Sequence, residues 1–298
     1  MKPLAPAVLP ALLRREIDAL GPARTLIDDG DRVVVQFRAW EAPSVMHELG
    51  RLRELCFRLC GEGTGESLDV DNFDDVYTQV VAFDWPSESI IGGYRVARTD
   101  DRLALDGIDG LYSSTLFDYQ TAIAPLLIPA LELGRSFVAP EWQRSMHGLP
   151  LLWRGLGAFW QKQNGCHRML GPVSIDREYS DATIELILGH LWARHGVEGA
   201  ERMVVPRNPF VPQGEHFVRG AQVDSVVLLD RLVKEREGRG MPVLLRHYLK
   251  LGAKVLAFNV DPDFQDCVDA LLLLDLRSMD PRRRARYAPP DLRAPDAA

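Results

Sequence analysis

Two neighbouring strand-like runs constrain the fold of this chain more than any other feature. Residues 77–84 and 89–97 are both rich in β-branched and aromatic side chains, and only Trp85-Pro86-Ser87-Glu88 separates them. A four-residue turn between two such runs predicts an antiparallel hairpin. Because the rest of the chain alternates similar runs with helical patterns, the hairpin favours a mixed sheet over a doubly wound parallel one.

The periodicity of apolar residues predicts further strands and helices on both sides of this hairpin. Further strands are expected over residues 33–37, 131–138, 169–175, 255–259 and 271–276. Helices are expected over residues 44–59, 151–163, 181–195 (with Asp181 as N-cap), 242–251 and, as a short one, 264–269. No Gly-x-Gly-x-x-Gly motif or P-loop is present. The predicted class is α/β (α+β), with a mixed, largely antiparallel central sheet flanked by helices and a C-terminal α/β extension.

We divide the chain into four segments on the basis of these patterns. Residues 1–30 form an N-terminal arm, residues 31–205 the core, residues 206–279 a C-terminal α/β extension packed on the core, and residues 280–298 a basic mobile tail. A proline-rich, charged stretch at 206–220 marks the start of the extension. The tail combines four prolines with arginines and lacks an apolar pattern, which is typical of a mobile terminus.

Composition restricts the partners of the chain. The 298 residues include 35 basic and 42 acidic side chains, a net charge of −7, so no general basic field favours nucleic acid. The four cysteines, Cys56, Cys60, Cys166 and Cys267, form neither a disulfide framework nor a zinc motif, and we expect reduced core thiols and no metal. Short, proline-interrupted apolar runs predict a soluble, cytoplasmic protein.

Charged residues stand inside three otherwise apolar segments, and burying an unpaired charge is costly. The segments are Asp69 to Asp75, Gly92-Gly93-Tyr94-Arg95, and Glu132-Leu-Gly-Arg-Ser-Phe-Val138. One interpretation is a structural ion network, in which Asp71, Asp74 and Glu132 neutralise Arg95 and Arg135. The other is a site. Alternation places Glu132 and Arg135 on opposite faces of the strand, unless a bulge at Gly134 changes the order.

At these same residues the sequence resembles a known group of enzymes. Asp71-x-Phe-Asp74, Gly93-Tyr-Arg95 and Glu132-Leu-Gly-Arg135-Ser136 resemble motifs of acyl-carrier-protein-dependent N-acyltransferases of the GNAT superfamily. These are the ornithine-lipid enzymes, often labelled putative hemolysins, and their relatives the acyl-homoserine lactone synthases. The resemblance continues through Leu151 to Gly155, Leu170 to Ile175, Pro242 to Gly252 and Phe258 to Phe264. It makes residues 31–205 a GNAT-like acyltransferase core.

The resemblance implies transfer of a (3-hydroxy)fatty acyl group from an acyl carrier protein thioester to the α-amine of ornithine or a similar amino acid, which yields a lyso-aminolipid. Glu132 is the candidate base that assists direct attack by the amine, with Arg135 as the second catalytic residue. Asp71, Asp74 and Arg95 are candidate acceptor-binding residues. In this fold a splay between central strands admits the pantetheine arm, and the remaining substrate-binding candidates lie along it: Ser136, Phe137, Val138, Gly171 and Ser174.

The donor is expected to be a carrier protein and not coenzyme A. The stretch Gln143 to Pro150 lacks the spacing with which GNAT enzymes bind pyrophosphate, and a carrier arm presents a single phosphate. No bound cofactor is expected, since acyl-phosphopantetheine is a donor substrate. Arg144, Arg154 and Lys162 are the candidate contacts with the acidic carrier protein.

Two alternatives to this function remain open. The first is an enzyme like the acyl-homoserine lactone synthases, which would need room for S-adenosylmethionine. The second is a non-catalytic protein that binds acyl groups or associates with membranes. The basic tail is a further candidate binding surface, because Arg282, Arg283, Arg284 and Arg286 can contact a carrier protein or the anionic headgroups of the inner membrane.

Overall fold

The computed structural model describes residues 1–145 and 147–287. Within them, strands form one eight-stranded sheet in the order β1-β2-β3-β4-β6-β7-β10-β9, and β5 pairs with β8 separately. The strands are β1 (Thr25–Asp28), β2 (Arg32–Phe37), β3 (Thr78–Asp84), β4 (Ser89–Arg98), β5 (Phe117–Tyr119), β6 (Leu131–Val138), β7 (Arg168–Ile175), β8 (Val204–Pro206), β9 (Lys254–Asp261) and β10 (Cys267–Asp275).

The α-helices cover both faces of the sheet. They are α1 (Pro10–Arg24), α2 (Pro43–Arg58), α3 (Phe73–Val76), α4 (Thr99–Asp106), α5 (Ala124–Leu127), α6 (Leu149–Gln161), α7 (Asp181–His195), α8 (His216–Ala221), α9 (Val226–Glu237), α10 (Val243–Leu251) and α11 (Pro281–Tyr287). Short 3₁₀ turns span Ala39–Glu41, Gly107–Gly110, Tyr112–Thr115, Thr121–Ile123, Pro140–Trp142, Ala200–Arg202 and Pro262–Phe264.

The predicted fold class is confirmed, since the sheet is mixed and largely antiparallel. Every pair of neighbouring strands is antiparallel except β6 and β7, which run parallel. The predicted hairpin is β3 and β4, in which Val81 pairs with Gly93. Side chains alternate between the two faces of the sheet. Val34 belongs to the core under α6, whereas Val33 and Val35 belong to the core under α1 and α2.

The terminal segments are more integrated than the sequence predicts. The arm contains α1, whose Leu13 and Ile17 are buried, and β1, which is the edge strand of the sheet. The extension supplies β9 and β10, which continue the same sheet beyond β7. Residues 281–287 of the predicted mobile tail form α11, and Tyr287 packs against Trp153. The rest of that tail lies outside the described residues.

Three local predictions are wrong. Residues 264–269 do not form a helix, because Gln265 and Asp266 adopt positive φ angles of 60° and 56° in a tight turn and β10 begins at Cys267. The N-cap of α7 is Ser180 and not Asp181, since the Ser180 side chain accepts a hydrogen bond from the amide of Thr183. Cys60 is exposed and is not a core thiol.

Candidate functional site

A splay between the two parallel strands opens the centre of the sheet. β6 and β7 pair only at their first residues, Leu131 with Met169 and Glu132 with Leu170. The last point of close approach is Gly171, where a Cβ atom would lie 2.2 Å from the carbonyl oxygen of Leu133. Only glycine fits such an approach of two backbones.

The splay contains a cavity of about 640 Å³. It reaches both faces of the sheet, since its lining includes Tyr94 and Tyr248 from the core under α6 and Tyr112 from the opposite side. Six of the sequence-predicted site residues line it: Arg135, Ser136, Phe137, Val138, Gly171 and Ser174. Four others, Glu132, Asp71, Asp74 and Arg95, do not line it.

A β-bulge sets the direction of Arg135. Arg95 on β4 pairs with Gly134 and Gly93 pairs with Phe137, so Arg135 and Ser136 of β6 together oppose the single residue Tyr94. Arg135 takes a φ of 47°, which is uncommon for a residue with a side chain. The bulge brings Arg135 to the side of Glu132, where both contact Tyr112. Simple strand alternation would have separated them.

Acidic and aromatic groups hold the Arg135 guanidinium at the edge of the cavity. Its Nε lies 2.9 Å from a carboxylate oxygen of Asp69, and its Nη2 lies 3.3 Å from Asp71. Its Nη1 donates to Tyr112 Oη at 2.7 Å. Arg135 is therefore oriented and largely neutralised before any substrate arrives.

Arg95 belongs to a buried ion network behind the cavity. Its guanidinium pairs with Asp71 and lies 3.3 Å from Asp74, and Arg53 contacts Asp74 at 2.9 Å. Burial alone would raise the pKa of Asp74, but Arg53 and Arg95 outweigh it and lower that pKa to about 2. The acidic loop thus forms the ion network that one interpretation of the sequence predicts, although Asp69 and not Glu132 is its third carboxylate.

Glu132 is fully buried, with 0% of its surface exposed. Its carboxylate accepts hydrogen bonds from the amides of Tyr112 and Ser113 at 3.0 and 2.8 Å, and from the hydroxyls of Tyr77 and Ser113. These four donors occupy the lone pairs that a general base would use. These hydrogen bonds tie Glu132 to the Tyr112–Thr115 turn.

A second group of carboxylates, which sequence reasoning missed, faces the cavity directly. Glu62, Asp261 and Asp269 all line it and are 5%, 7% and 6% exposed. Asp269 pairs with Ser174 across β10 and β7, so both side chains point to the same face. The criterion of a charge inside an apolar strand would have identified Asp269, had β10 been predicted from Cys267 onwards.

Burial and repulsion between carboxylates raise the pKa values of these three groups. Burial, together with Asp176 and Asp261, raises the pKa of Glu62 to about 7, against a hydrogen bond from Ser174 that lowers it. Burial, Asp261 and Glu62 raise the pKa of Asp269 well above its ordinary value. Carboxylates in a cavity whose pKa lies close to 7 are suited to accept and return protons at neutral pH.

The three predicted docking residues are exposed but do not lie together. Arg144 stands between Gln143 and Ser145, which line the cavity, whereas Lys162 follows the last residue of α6. The first residue of α6, Leu149, lines the cavity, so Lys162 lies about 20 Å along the helix from it. Arg144 is the one of the three that borders the cavity mouth.

Residues 52–154 match the family described as "Acetyltransferase (GNAT) domain". Two curated proteins named Glycine N(alpha)-acyltransferase are similar to most of the chain. The one from Bacteroides thetaiotaomicron is 29% identical over 265 residues, which cover 83% of this chain and 78% of that protein. The one from Phocaeicola vulgatus is 27% identical over 266 residues, which cover 83% and 81%.

Two solved structures share a weaker likeness. The loading GNATL domain of CurA from Lyngbya majuscula has 18% identity and a TM-score of 0.37, covering 77% of this chain and 94% of that one. The acyl-homoserine lactone synthase LasI has 16% identity and a TM-score of 0.35, covering 48% and 72%.

The residues that match the GNAT domain include β6, the strand that borders the splay and the cavity. The domain and the names of the relatives together support an acyltransferase, as the sequence resemblance implies. Within residues 1–145 and 147–287 no helix is both long and apolar enough to cross a bilayer.

Proposed function

We propose that the protein is an N-acyltransferase that moves a (3-hydroxy)fatty acyl group from the thioester of acyl carrier protein to the α-amine of an amino acid. The observation that carries this proposal is the open splay between β6 and β7, with buried carboxylates lining the cavity inside it. The names of the two curated relatives support the same chemistry.

The splay suits an extended acyl-phosphopantetheine arm. Beyond Glu132 the backbone of β6 has no partner in β7, so an extended chain can lie along it in the manner of an added strand. Leu149, Met241 and Leu244 contribute apolar surface to the cavity and can receive the acyl chain. Arg144 at the mouth is placed to contact an acidic carrier protein.

The carboxylates suit the amine. An amino acid arrives as an α-ammonium, which is more basic than Glu62 and must lose a proton before its nitrogen can attack. In the proposed reaction Glu62 takes one proton, and the free amine nitrogen attacks the thioester carbonyl carbon. The C–N bond forms, the C–S bond breaks, and the thiolate leaves with the second amine proton. Direct attack needs no covalent acyl-enzyme, because positioning a reactive thioester supplies much of the acceleration.

The structure changes which amino acid is favoured as the acceptor. The sequence favoured ornithine because Asp71 and Asp74 could pair with its second ammonium group. In the structure, these two carboxylates are bound outside the cavity by Arg53, Arg95 and Arg135. Glycine, the amino acid in the names of the relatives, is therefore the first acceptor that we propose. Ornithine is the second, since its additional ammonium group would stabilise the ionised form of Asp261 or Asp269 in the cavity.

The test is acyl transfer by the purified protein. It is incubated with 3-hydroxyacyl carrier protein and, separately, each of the twenty amino acids and ornithine, and products are identified by mass. We expect an N-acyl amino acid with glycine or ornithine, and a much lower rate when acyl coenzyme A replaces the carrier protein. No product with any acceptor would overturn the proposal. Product only with S-adenosylmethionine would favour the homoserine lactone alternative.

A further inference from the structure

A second cavity, which we call the arginine pocket, lies at the far end of α6 from the candidate site. Its volume is about 580 Å³, and among the described residues it shares no lining residue with the first cavity. α6 reaches both, because Leu149 at its start lines the first and Phe159 near its end lines the second. The proposed acyl transfer leaves the arginine pocket without a role.

Four guanidinium groups converge on this pocket, from Arg24, Arg38, Arg98 and Arg102, against two lining carboxylates, Glu41 and Asp101. Three of the arginines each have a carboxylate partner. Arg24 donates to Glu41 at 2.9 Å, Arg98 donates to Asp100 at 3.1 Å, and Arg102 contacts Asp106.

Arg38 is the exception. Its guanidinium donates to the carbonyl oxygen of Val76, a neutral group, and forms no ion pair within the described residues. Burial first, and then the charge of Arg102, lowers the pKa of Arg38, so the folded protein holds this cation in unfavourable surroundings. An anion bound between Arg38 and Arg102 would remove that penalty.

Arg102 also has an unused donor. Its Nε is buried in the structure and has no hydrogen-bond partner among the described residues. A buried N–H without a partner is costly, and an anion oxygen in the pocket would satisfy it. Guanidinium groups from two chain segments can bind several oxygens of one phosphate at once, and they match a phosphate better than they match a single carboxylate.

Apolar side chains line part of the remaining pocket wall, beside the polar Gln36, Thr78 and Gln163. Phe37 and Phe159 contribute to its wall. Leu105, which lines the pocket, is 74% exposed, and Trp40, which lies in sequence between the lining residues Arg38 and Glu41, is 75% exposed. An exposed tryptophan and leucine near a cluster of arginine side chains are typical of a surface that enters the headgroup region of a bilayer.

We infer that the arginine pocket binds the phosphate headgroup of an anionic membrane lipid, with Trp40 and Leu105 inserted at the interface. The site is distinct from the β6–β7 cavity and is independent of the reaction proposed there. It would hold the protein at a bilayer, which is where an N-acylated amino acid, an amphiphile, would partition.

Sedimentation with lipid vesicles tests this inference on the full chain. Vesicles of phosphatidylcholine are compared with vesicles that also contain phosphatidic acid. We expect binding only to the second kind, and Arg38→Gln to lower the partition coefficient by at least about fivefold. Trp40→Ala should weaken binding to a similar extent. Arg231→Gln, on exposed α9, is the matched control and should bind as the unaltered protein does.

Several results would overturn the inference. The interaction would lie elsewhere if Arg38→Gln bound vesicles as well as the unaltered protein does. It would also lie elsewhere if binding were lost only when Arg282, Arg283 and Arg284 are replaced by glutamine. Full competition by soluble glycerol phosphate with no effect of Trp40→Ala would show a soluble phosphate ligand and not a membrane lipid. An unchanged melting temperature of Arg38→Gln confirms that the variant is folded, and Arg102→Gln provides a second variant if it is not.

Discussion

The backbone amide of Ser113 donates a hydrogen bond to the Glu132 carboxylate at 2.8 Å. This contact joins the first residues of the central strand β6 to the Tyr112–Thr115 turn, 19 residues earlier in the chain. Tyr112 in that turn lines the cavity and receives a hydrogen bond from Arg135. We therefore propose that Glu132 acts on the site through this turn and not by contact with a reacting group.

We predict that Glu132→Gln lowers the free energy of unfolding by about 2 kcal/mol, because an amide replaces a buried charged acceptor and leaves at least one donor unpaired. Urea denaturation measures this loss. Glu235→Gln, at an exposed ion pair with Arg231, is the control and should change stability little. A variant with unchanged stability and turnover reduced more than about a hundredfold would instead support direct base catalysis by Glu132, as the resemblance implies.

Glu62 is the residue that we expect to accept the amine proton. Glu62→Gln should lower kcat about a hundredfold or more, with little change in the KM for the acyl donor. In the unaltered protein kcat should rise with pH through about 7, as Glu62 ionises. In the variant that rise should be absent. A variant that keeps the same pH profile would show that another group is the base.

The same carboxyl group should also affect stability in a defined pH range. The pKa of Glu62 is about 7 in the folded protein and has an ordinary value of 4.5, so between these values the folded protein retains a proton that the unfolded chain releases. Stability from this group is fully present below about pH 4.5 and is lost as pH rises through about 7.

The corresponding measurement is urea denaturation of the unaltered protein and Glu62→Gln at pH 5 and pH 8. Relative to the unaltered protein, the variant should gain about 2 to 3 kcal/mol between the two pH values, since each pKa unit corresponds to about 1.4 kcal/mol. Asp269 contributes to the pH dependence of both proteins, and because Glu62 is one cause of its raised pKa, the difference between the two profiles reports this coupled pair of carboxylates. Parallel pH profiles would contradict the raised pKa of Glu62.

Much of the fold follows from local patterns. The hairpin of β3 and β4, the strand β6 and the helix α7 were predictable because each is a largely apolar run bounded by turn or capping residues. The start of β10 was not, because the turn at Gln265 and Asp266 depends on positive φ angles that these residues rarely adopt. That single error hid Asp269 from the list of site residues.

Two further features of the site could not be predicted from local sequence, because they depend on contacts between distant parts of the chain. The position of Arg135 depends on a bulge that is defined only by the pairing of β6 with β4. Whether Glu132 faces the cavity depends on Tyr77 and Ser113, which lie 55 and 19 residues away in sequence. Motif order identified the correct strands, but burial and hydrogen bonding decide which of their charged residues can meet a substrate.

Gly171 offers a direct test of the splay. Gly171→Ala would place a methyl group 2.2 Å from the backbone oxygen of Leu133, where neither strand can yield without losing its other partners. We predict a loss of about 1 to 3 kcal/mol in the free energy of unfolding and a large fall in kcat/KM, since the two strands are forced apart where the donor arm would lie.

Gly134→Ala is the matched control, because it alters a glycine of the neighbouring strand that also lines the cavity. There the nearest atom to a new Cβ is Cδ1 of Tyr112 at 3.8 Å, an ordinary contact distance. This variant should retain its stability to within about 0.5 kcal/mol. If both alanine variants lost stability equally, or if Gly171→Ala retained full activity, the close approach of β7 to Leu133 would not define the donor channel.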